Sequence, residues 1–349
     1  MRNFFEEKYV SLEIKRELIN LISEISEYKG KIEAYQHQRP DIFSLLEKTI
    51  PLQYMKNHTI MYENITVSNK QLQNLILNDI IPQTIEEDAL VCYYTTLELI
   101  QKKYHTFPIK PETIQELHFQ LLNYFTSESG NWRRERPILP DIPEFKINSN
   151  QYKAISHETI PQALHQLCEQ YNTLRSNGNI HALLLIPRFI LNFLCIYPFK
   201  KGNGRLAQVL IQLLLIKCGY SFVKYICIDK YIKKNELDYY TALYKSAANW
   251  YYGEHCIGFW LKVFLTIVLA AYQELHTLVK SHIITQSKSK RIKKYITDQK
   301  YPFTKENIRN AYPDIGESTI NRTLHSLQIQ GYIKLISKGR NAQWIKLKS

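Results

Sequence analysis

Residues 197–208 read YPFKKGNGRLAQ, and they hold the densest set of groups that could act on a ligand. Gly202 and Gly204 bracket Asn203 directly ahead of an apolar stretch with helical spacing. Glycine reaches backbone angles closed to other residues. The free N–H groups and positive dipole end of a helix start can hold an anion. Arg205 adds a fixed, fork-shaped cation, and Gln208 follows one turn on along the same helical face. Such a turn can cradle a phosphate or nucleotide, although many Gly-Asn-Gly turns only join two helices. The neighbours available for chemistry are Tyr197, Lys200 and Lys201. A phenol titrates near about 10, so at neutral pH it accepts a proton poorly.

A helical frame is expected around this turn. Periodicity predicts a helix from Leu12 up to Lys29-Gly30, then helices in RPDIFSLLEKTIPLQYMKN and SNKQLQNLILND. TIEEDALVCYYTTLELIQKKY has acids in its first turn, and KPETIQELHFQLLNYF has Pro111 near its start. ETIPQALHQLCEQYNTLRSNG and IHALLLIPRFILNFLCI lead into the turn. RLAQVLIQLLLIKCGY follows it and stops at Gly219. Two more helices are expected in NELDYYTALYKSAANWYYG and HCIGFWLKVFLTIVLAAYQELHTLVKSH. The exception is Ser127–Ser156, where Gly130, Pro137, Pro140 and Pro143 punctuate a loop with room for a small hairpin.

The stretch resembles the signature of the Fic family, H-P-F-x-D/E-G-N-G-R-x-x-R. Pro198, Phe199, Gly202, Asn203, Gly204 and Arg205 match at their spacing. ELHFQLL, with His118, and SGNWR, ending at Arg133, are similar to family elements ahead of a hairpin flap. The resemblance implies a mainly α core with a small β-hairpin flap. It also implies transfer of AMP from ATP to a hydroxyl of a target protein, and a nucleotide site at Gly202, Asn203, Gly204 and Arg205, to which Lys201 would add a charge and Gln208 a hydrogen-bonding amide. Upstream, Thr59-Ile60-Met61-Tyr62-Glu63-Asn64 resembles the family's inhibitory pattern S/T-x-x-x-E-G/N, which gives Glu63 an inhibitory role.

Three positions depart from the signature. Tyr197 stands where the family has its general-base His, Lys201 where it has the acidic metal ligand, and Gln208 where it has a second Arg. A phenol would need its pKa lowered by about three units, roughly 4 kcal/mol, to work as a base at pH 7. The nearby lysines would lower it and burial would raise it. An ammonium repels Mg²⁺ and removes a ligand, so no protein metal site is expected, while ATP or another nucleotide remains a candidate ligand. Gln208 carries no charge to pair with Glu63.

The C-terminal segment has its own texture. The net charge is +13 over 349 residues, and Ser281–Ser349 holds 14 Lys plus Arg against 4 Asp plus Glu. FTKENIRNAYP and GESTINRTLHSLQIQGY are expected as short helices, followed by YIKLIS and AQWIKLK as strands. That is the order of a winged helix. Its second helix would present Ser318, Thr319, Asn321, Arg322 and His325 to DNA, with Lys338, Arg340 and Asn341 in the wing. Use of the same module for protein contacts stays open. The expected domains are 1–80, carrying 59–64, then a Fic-like core over 81–280, then a basic linker and winged helix over 281–349.

The six scattered cysteines include no C-x-x-C pair, and the N-terminus has no apolar signal core, so a cytoplasmic protein with reduced thiols is expected. The apolar runs are too short or interrupted to predict a membrane span. Three functions remain open at this stage. The first is a nucleotide-binding, catalytically weak or inactive Fic fold coupled to DNA. The second is an active nucleotidyltransferase with altered chemistry, acting on a target protein or on itself. The third is a DNA-binding regulator in which the Fic-like body is only a dimerisation and scaffold domain.

Overall fold

The computed structural model describes residues 3–5, 12–58, 70, 73–75, 81–137, 154–299, 301–337, 339 and 342–347. The chain forms two compact units, Met1–Leu275 and His276–Ser349. The first holds α1 (Leu12–Gln38), α2 (Pro40–His58), α3 (Ile85–Lys103), α4 (Pro111–Leu122), α5 (Ile160–Asn177), α6 (Ala182–Ile196), α7 (Asn203–Lys217), α8 (Asp229–Lys234) and α9 (Glu236–Ala247). The boundary between the units falls within α10 (Gly258–Asp298). The N-terminal helices therefore share the first unit with the rest of 1–275. Also, α1 runs straight through Gly30, where only the sequence's apolar spacing had pointed to a stop. Gly30 meets no neighbouring atom and adopts ordinary helical angles, so it costs about 1 kcal/mol of propensity and does not break the helix.

The middle of this unit is the pair α6 and α7, flanked by α3, α4, α5 and α9. Nearly every residue of α7 from Leu206 to Ile216 is buried, as expected for a helix apolar all round. Local chemistry sets the ends. Thr84 caps α3 by accepting from the Glu87 N–H at 3.2 Å, and Gly178 closes α5 in the left-handed conformation. Pro187 lies inside α6, and its carbonyl accepts a 2.8 Å bond from the Trp260 indole.

Among the described residues one helix, α10, is long and apolar enough to cross a bilayer, but 61% of its most apolar window is buried inside the protein. Trp260, Leu261, Phe264, Leu265, Val268, Ala271 and Tyr272 place that stretch in the first unit's core. The stretch TQSKSKRIKKY continues α10.

The second unit adds β1 (Phe303–Thr304), α11 (Lys305–Ala311), α12 (Glu317–Ile329), β2 (Ile333–Ser337) and β3 (Gln343–Lys346). The strands form an antiparallel sheet in the order β1-β3-β2, with Leu335 opposite Trp344 and Phe303 opposite Trp344. FTKEN begins as a strand, so its first two residues are not helical as expected. Thr304 ends β1 and also caps α11 in a reciprocal box with Asn307. Ile296, Phe303, Ile308, Ile320, Leu324, Ile333 and Trp344 form this unit's own core. The succession of two helices and a hairpin is compatible with a winged helix.

Candidate functional site

The glycine turn is shaped by where α6 ends. Tyr197 adopts φ +49° and ψ +64°, one of two described non-glycine residues at positive φ. Its N–H still bonds the Phe193 carbonyl at 3.0 Å, and Pro198 then prevents further helix. A left-handed tyrosine costs about 1–2 kcal/mol, so the surroundings must hold it.

Three buried side chains do so. Asn203 is 1% exposed, and its amide accepts from the Phe199 N–H at 3.1 Å and donates to the Phe199 carbonyl at 2.8 Å. Arg133 donates from Nε to the Tyr197 carbonyl at 2.7 Å, and its backbone N–H reaches the Pro198 carbonyl at 2.8 Å. His118 accepts the Gly130 N–H on Nδ1 at 2.9 Å. Its proton therefore sits on Nε2, 3.0 Å from the Lys201 carbonyl. The imidazole lies flat on Phe199, with ring centroids 3.6 Å apart and planes 4° apart. Burial lowers the His118 pKa to about 4, so the ring is neutral at neutral pH.

Gly202 takes φ +79°, and a Cβ there would stand 2.1 Å from Leu122 Cδ1. The glycine is thus demanded by helix α4 behind the turn as well as by backbone angle. The N–H groups of Asn203, Gly204 and Arg205 begin α7, and the first intrahelical bond of this end is Leu206 N–H to the Gly202 carbonyl at 2.9 Å. Gly202 supplies no side-chain cap.

In front of this helix start lies a cavity of about 390 Å³. Its floor is Tyr197, Gly202, Asn203, Gly204, Arg205 and Gln208. Leu191 and Leu194 of α6 and Tyr239, Tyr240 and Tyr244 of α9 form its walls. None of the described residues lining it is Asp or Glu. Among the described residues, no group of three His, Cys, Asp or Glu could hold a metal ion.

The sequence-expected residues separate into kinds. Tyr197, Gly204, Arg205 and Gln208 face the cavity together with Gly202. Arg205 also donates to the Tyr124 hydroxyl at 2.8 Å. Asn203 lines the site, with its amide bonded to Phe199 and set against the Tyr197 phenol. Lys201 is exposed, with its ammonium 4.8 Å above the Phe125 ring rather than among the cavity residues. Lys200 pairs with Glu128 at 3.5 Å on the surface, a contact of little energetic weight. Burial raises the Tyr197 phenol pKa, opposed by a hydrogen bond with Asn203 and the charge of Arg133. The phenol is therefore protonated at neutral pH. Glu63 lies outside the described residues, as does 138–153, most of the expected hairpin.

In the second unit Ser318, Asn321, Arg322 and His325 are exposed on α12, and Thr319 is half-buried. Lys338, Arg340 and Asn341 lie outside the described residues.

Sequence reasoning missed the tyrosine wall. Its signal was DYYTALY, two adjacent tyrosines and a third four residues after the second, read only as a core helix. Tyr124, the partner of Arg205, had no signal at all.

The model of the Fic/DOC family matches residues 108–215, which span α4 to α7 and the turn between them. The first unit thus contains a Fic domain, within residues 108–215. A Fic family protein from Desulfovibrio desulfuricans is similar over 99% of both chains, at 16% identity and a TM-score of 0.64. A signalling protein with a Fic domain from Bacteroides thetaiotaomicron is similar over 74% of this chain and 98% of its own, at 17% identity and 0.58. Fic-1 of C. elegans is similar over 76% of this chain and 71% of its own, at 16% identity and 0.55. At such identities the likeness establishes the fold. No curated protein sequence matches the chain.

Proposed function

We propose that the Fic domain binds the phosphate of a nucleotide at the start of α7 and transfers AMP weakly or not at all. The observation that carries this is the division of labour around the turn. The anion-facing backbone and Arg205 are kept in shape by buried scaffolding, while the group at the base position is a phenol whose pKa burial raises. Proton transfer by a positioned base contributes typically about 10²–10⁴-fold, and Tyr197 does not supply it at neutral pH. Among the described residues the cavity offers no carboxylate for Mg²⁺, whose usual partners are carboxylate and phosphate oxygens. Nucleotide binding here rests on Arg205, the helix start and the tyrosine walls, on which a base can stack.

The second unit is read as a DNA-binding module that reports on the first. Its support is the excess of positive charge after Ser281 and the exposed polar face of α12. The rival reading, an active transferase, would make Tyr197 the base or the acceptor of the nucleotidyl group.

Calorimetry with AMP, ADP and ATP, with and without Mg²⁺, tests the binding. Intact-mass analysis of the protein and of lysate proteins after incubation with ATP tests the chemistry. Binding without added mass is expected. No binding of any of the three nucleotides refutes the reading, and an adenylyl adduct lost in Tyr197→Phe replaces it with the active one.

A further inference from the structure

We propose that Arg133 is the positioning residue of the phosphate-binding turn, acting from behind it without touching the ligand. The proposal rests on the reading of that turn as a phosphate site. Arg133 is 5% exposed. Its guanidinium donates to the Tyr197 carbonyl at 2.7 Å, the Glu135 carbonyl at 2.9 Å and the Ile155 carbonyl at 2.8 Å, with Ile196 at 3.5 Å. Its own N–H adds the Pro198 carbonyl at 2.8 Å. One side chain therefore gathers carbonyls from three separate parts of the chain, at 135, 155 and 196–197.

The position of these bonds decides their effect. Ile196 and Tyr197 are where α6 ends and the chain turns left-handed. A free carbonyl at this end would turn towards solvent, and the strained Tyr197 would relax to ordinary angles. The turn would then carry Phe199 and Gly202 away from His118 and Leu122, and the N–H groups of 203–205 would lose their common aim. The fork matters as well as the charge. Arg presents five donors in a planar array, whereas Lys offers three from a single atom and cannot span carbonyls on opposite sides. Arg133 is not among the residues lining the cavity, so its loss removes no ligand contact.

The test compares full-length wild type, Arg133→Lys, Arg133→Gln and Arg205→Ala. The first readout is hydrogen–deuterium exchange of the ligand-free chains, and the second is AMP affinity by calorimetry. In Arg133→Lys, the bonded amides of Tyr197, Phe199 and Leu206 are expected to exchange at least tenfold faster, with the interiors of α5 and α10 unchanged. AMP affinity is expected to fall at least tenfold. In Arg205→Ala affinity falls while exchange of those amides stays as in wild type. Unchanged exchange in Arg133→Lys overturns the proposal, as does a uniform rise across the first unit, which would mark a merely structural role. Wild-type affinity in the lysine variant also overturns it. If wild type itself binds no AMP, the phosphate reading fails, while the exchange arm still decides whether Arg133 holds the turn.

Discussion

Two buried groups in the first unit titrate in opposite senses, and replacing one exposes the other. Asp229 opens α8, fully buried, with Oδ2 accepting from the Tyr93 hydroxyl and Oδ1 without a hydrogen-bond partner among the described residues. Burial pushes its pKa up from 3.8 to about 6, against the opposing Tyr93 bond. A raised acid favours the protonated folded state. Its contribution is complete below pH 3.8 and is lost as pH rises through 6. The gap is about two pH units, and at about 1.4 kcal/mol each it amounts to about 3 kcal/mol. His118 runs the other way. Its pKa falls from 6.5 to about 4, so its contribution is complete above 6.5 and is lost as pH falls towards 4, again by about 3 kcal/mol. Between pH 4 and 6.5 the two nearly cancel in the wild type.

Asp229→Asn imitates the protonated acid, keeps an acceptor for Tyr93 and removes one of the two titrations. Denaturant unfolding of variant and wild type, followed by tryptophan fluorescence at intervals from pH 4 to 7.5, measures the difference directly. Groups common to both proteins drop out of that difference. The variant is expected to gain about 3 kcal/mol on wild type between pH 4 and 7. Its own stability should climb with pH as His118 becomes neutral. A difference that stays constant across the range would refute the assignment of a raised, buried Asp229.

Gly202→Ala should destabilise the first unit by about 2–4 kcal/mol, from left-handed strain and the overlap with Leu122. Denaturant midpoints check it, and a loss under about 1 kcal/mol would mean that the turn relaxes freely. Arg322→Ala should weaken binding to duplex DNA and lower the slope of log affinity against log salt by about 1 if Arg322 meets a phosphate. An unchanged slope removes Arg322 from the interface.

Much of this molecule is legible in its sequence. The apolar repeats of α5, α6 and α7 read as helices because 3.6-residue periodicity is local and survives without knowledge of partners. Pro198 and Gly202 announced the turn because their allowed backbone angles belong to the residues themselves. The departures at Tyr197, Lys201 and Gln208 were equally visible, since charge and protonation chemistry travel with residue type. The run through Gly30 and the short strand at Phe303 were not, because burial of Ile32 and of Phe303 outweighed local preference there.

What only the tertiary structure decided was which polar groups face a ligand and which face the protein. Asn203 stands beside Gly204 in sequence, yet its amide serves Phe199, while Tyr239, Tyr240 and Tyr244 come from a helix more than 30 residues later to wall the cavity. The same holds for the direction of the phenol's pKa. Sequence placed lysines near Tyr197, which would lower it, but the folded chain buries the ring and sends Lys201 to Phe125. Desolvation depends on everything packed around a group, and that sum exists only once the chain has folded.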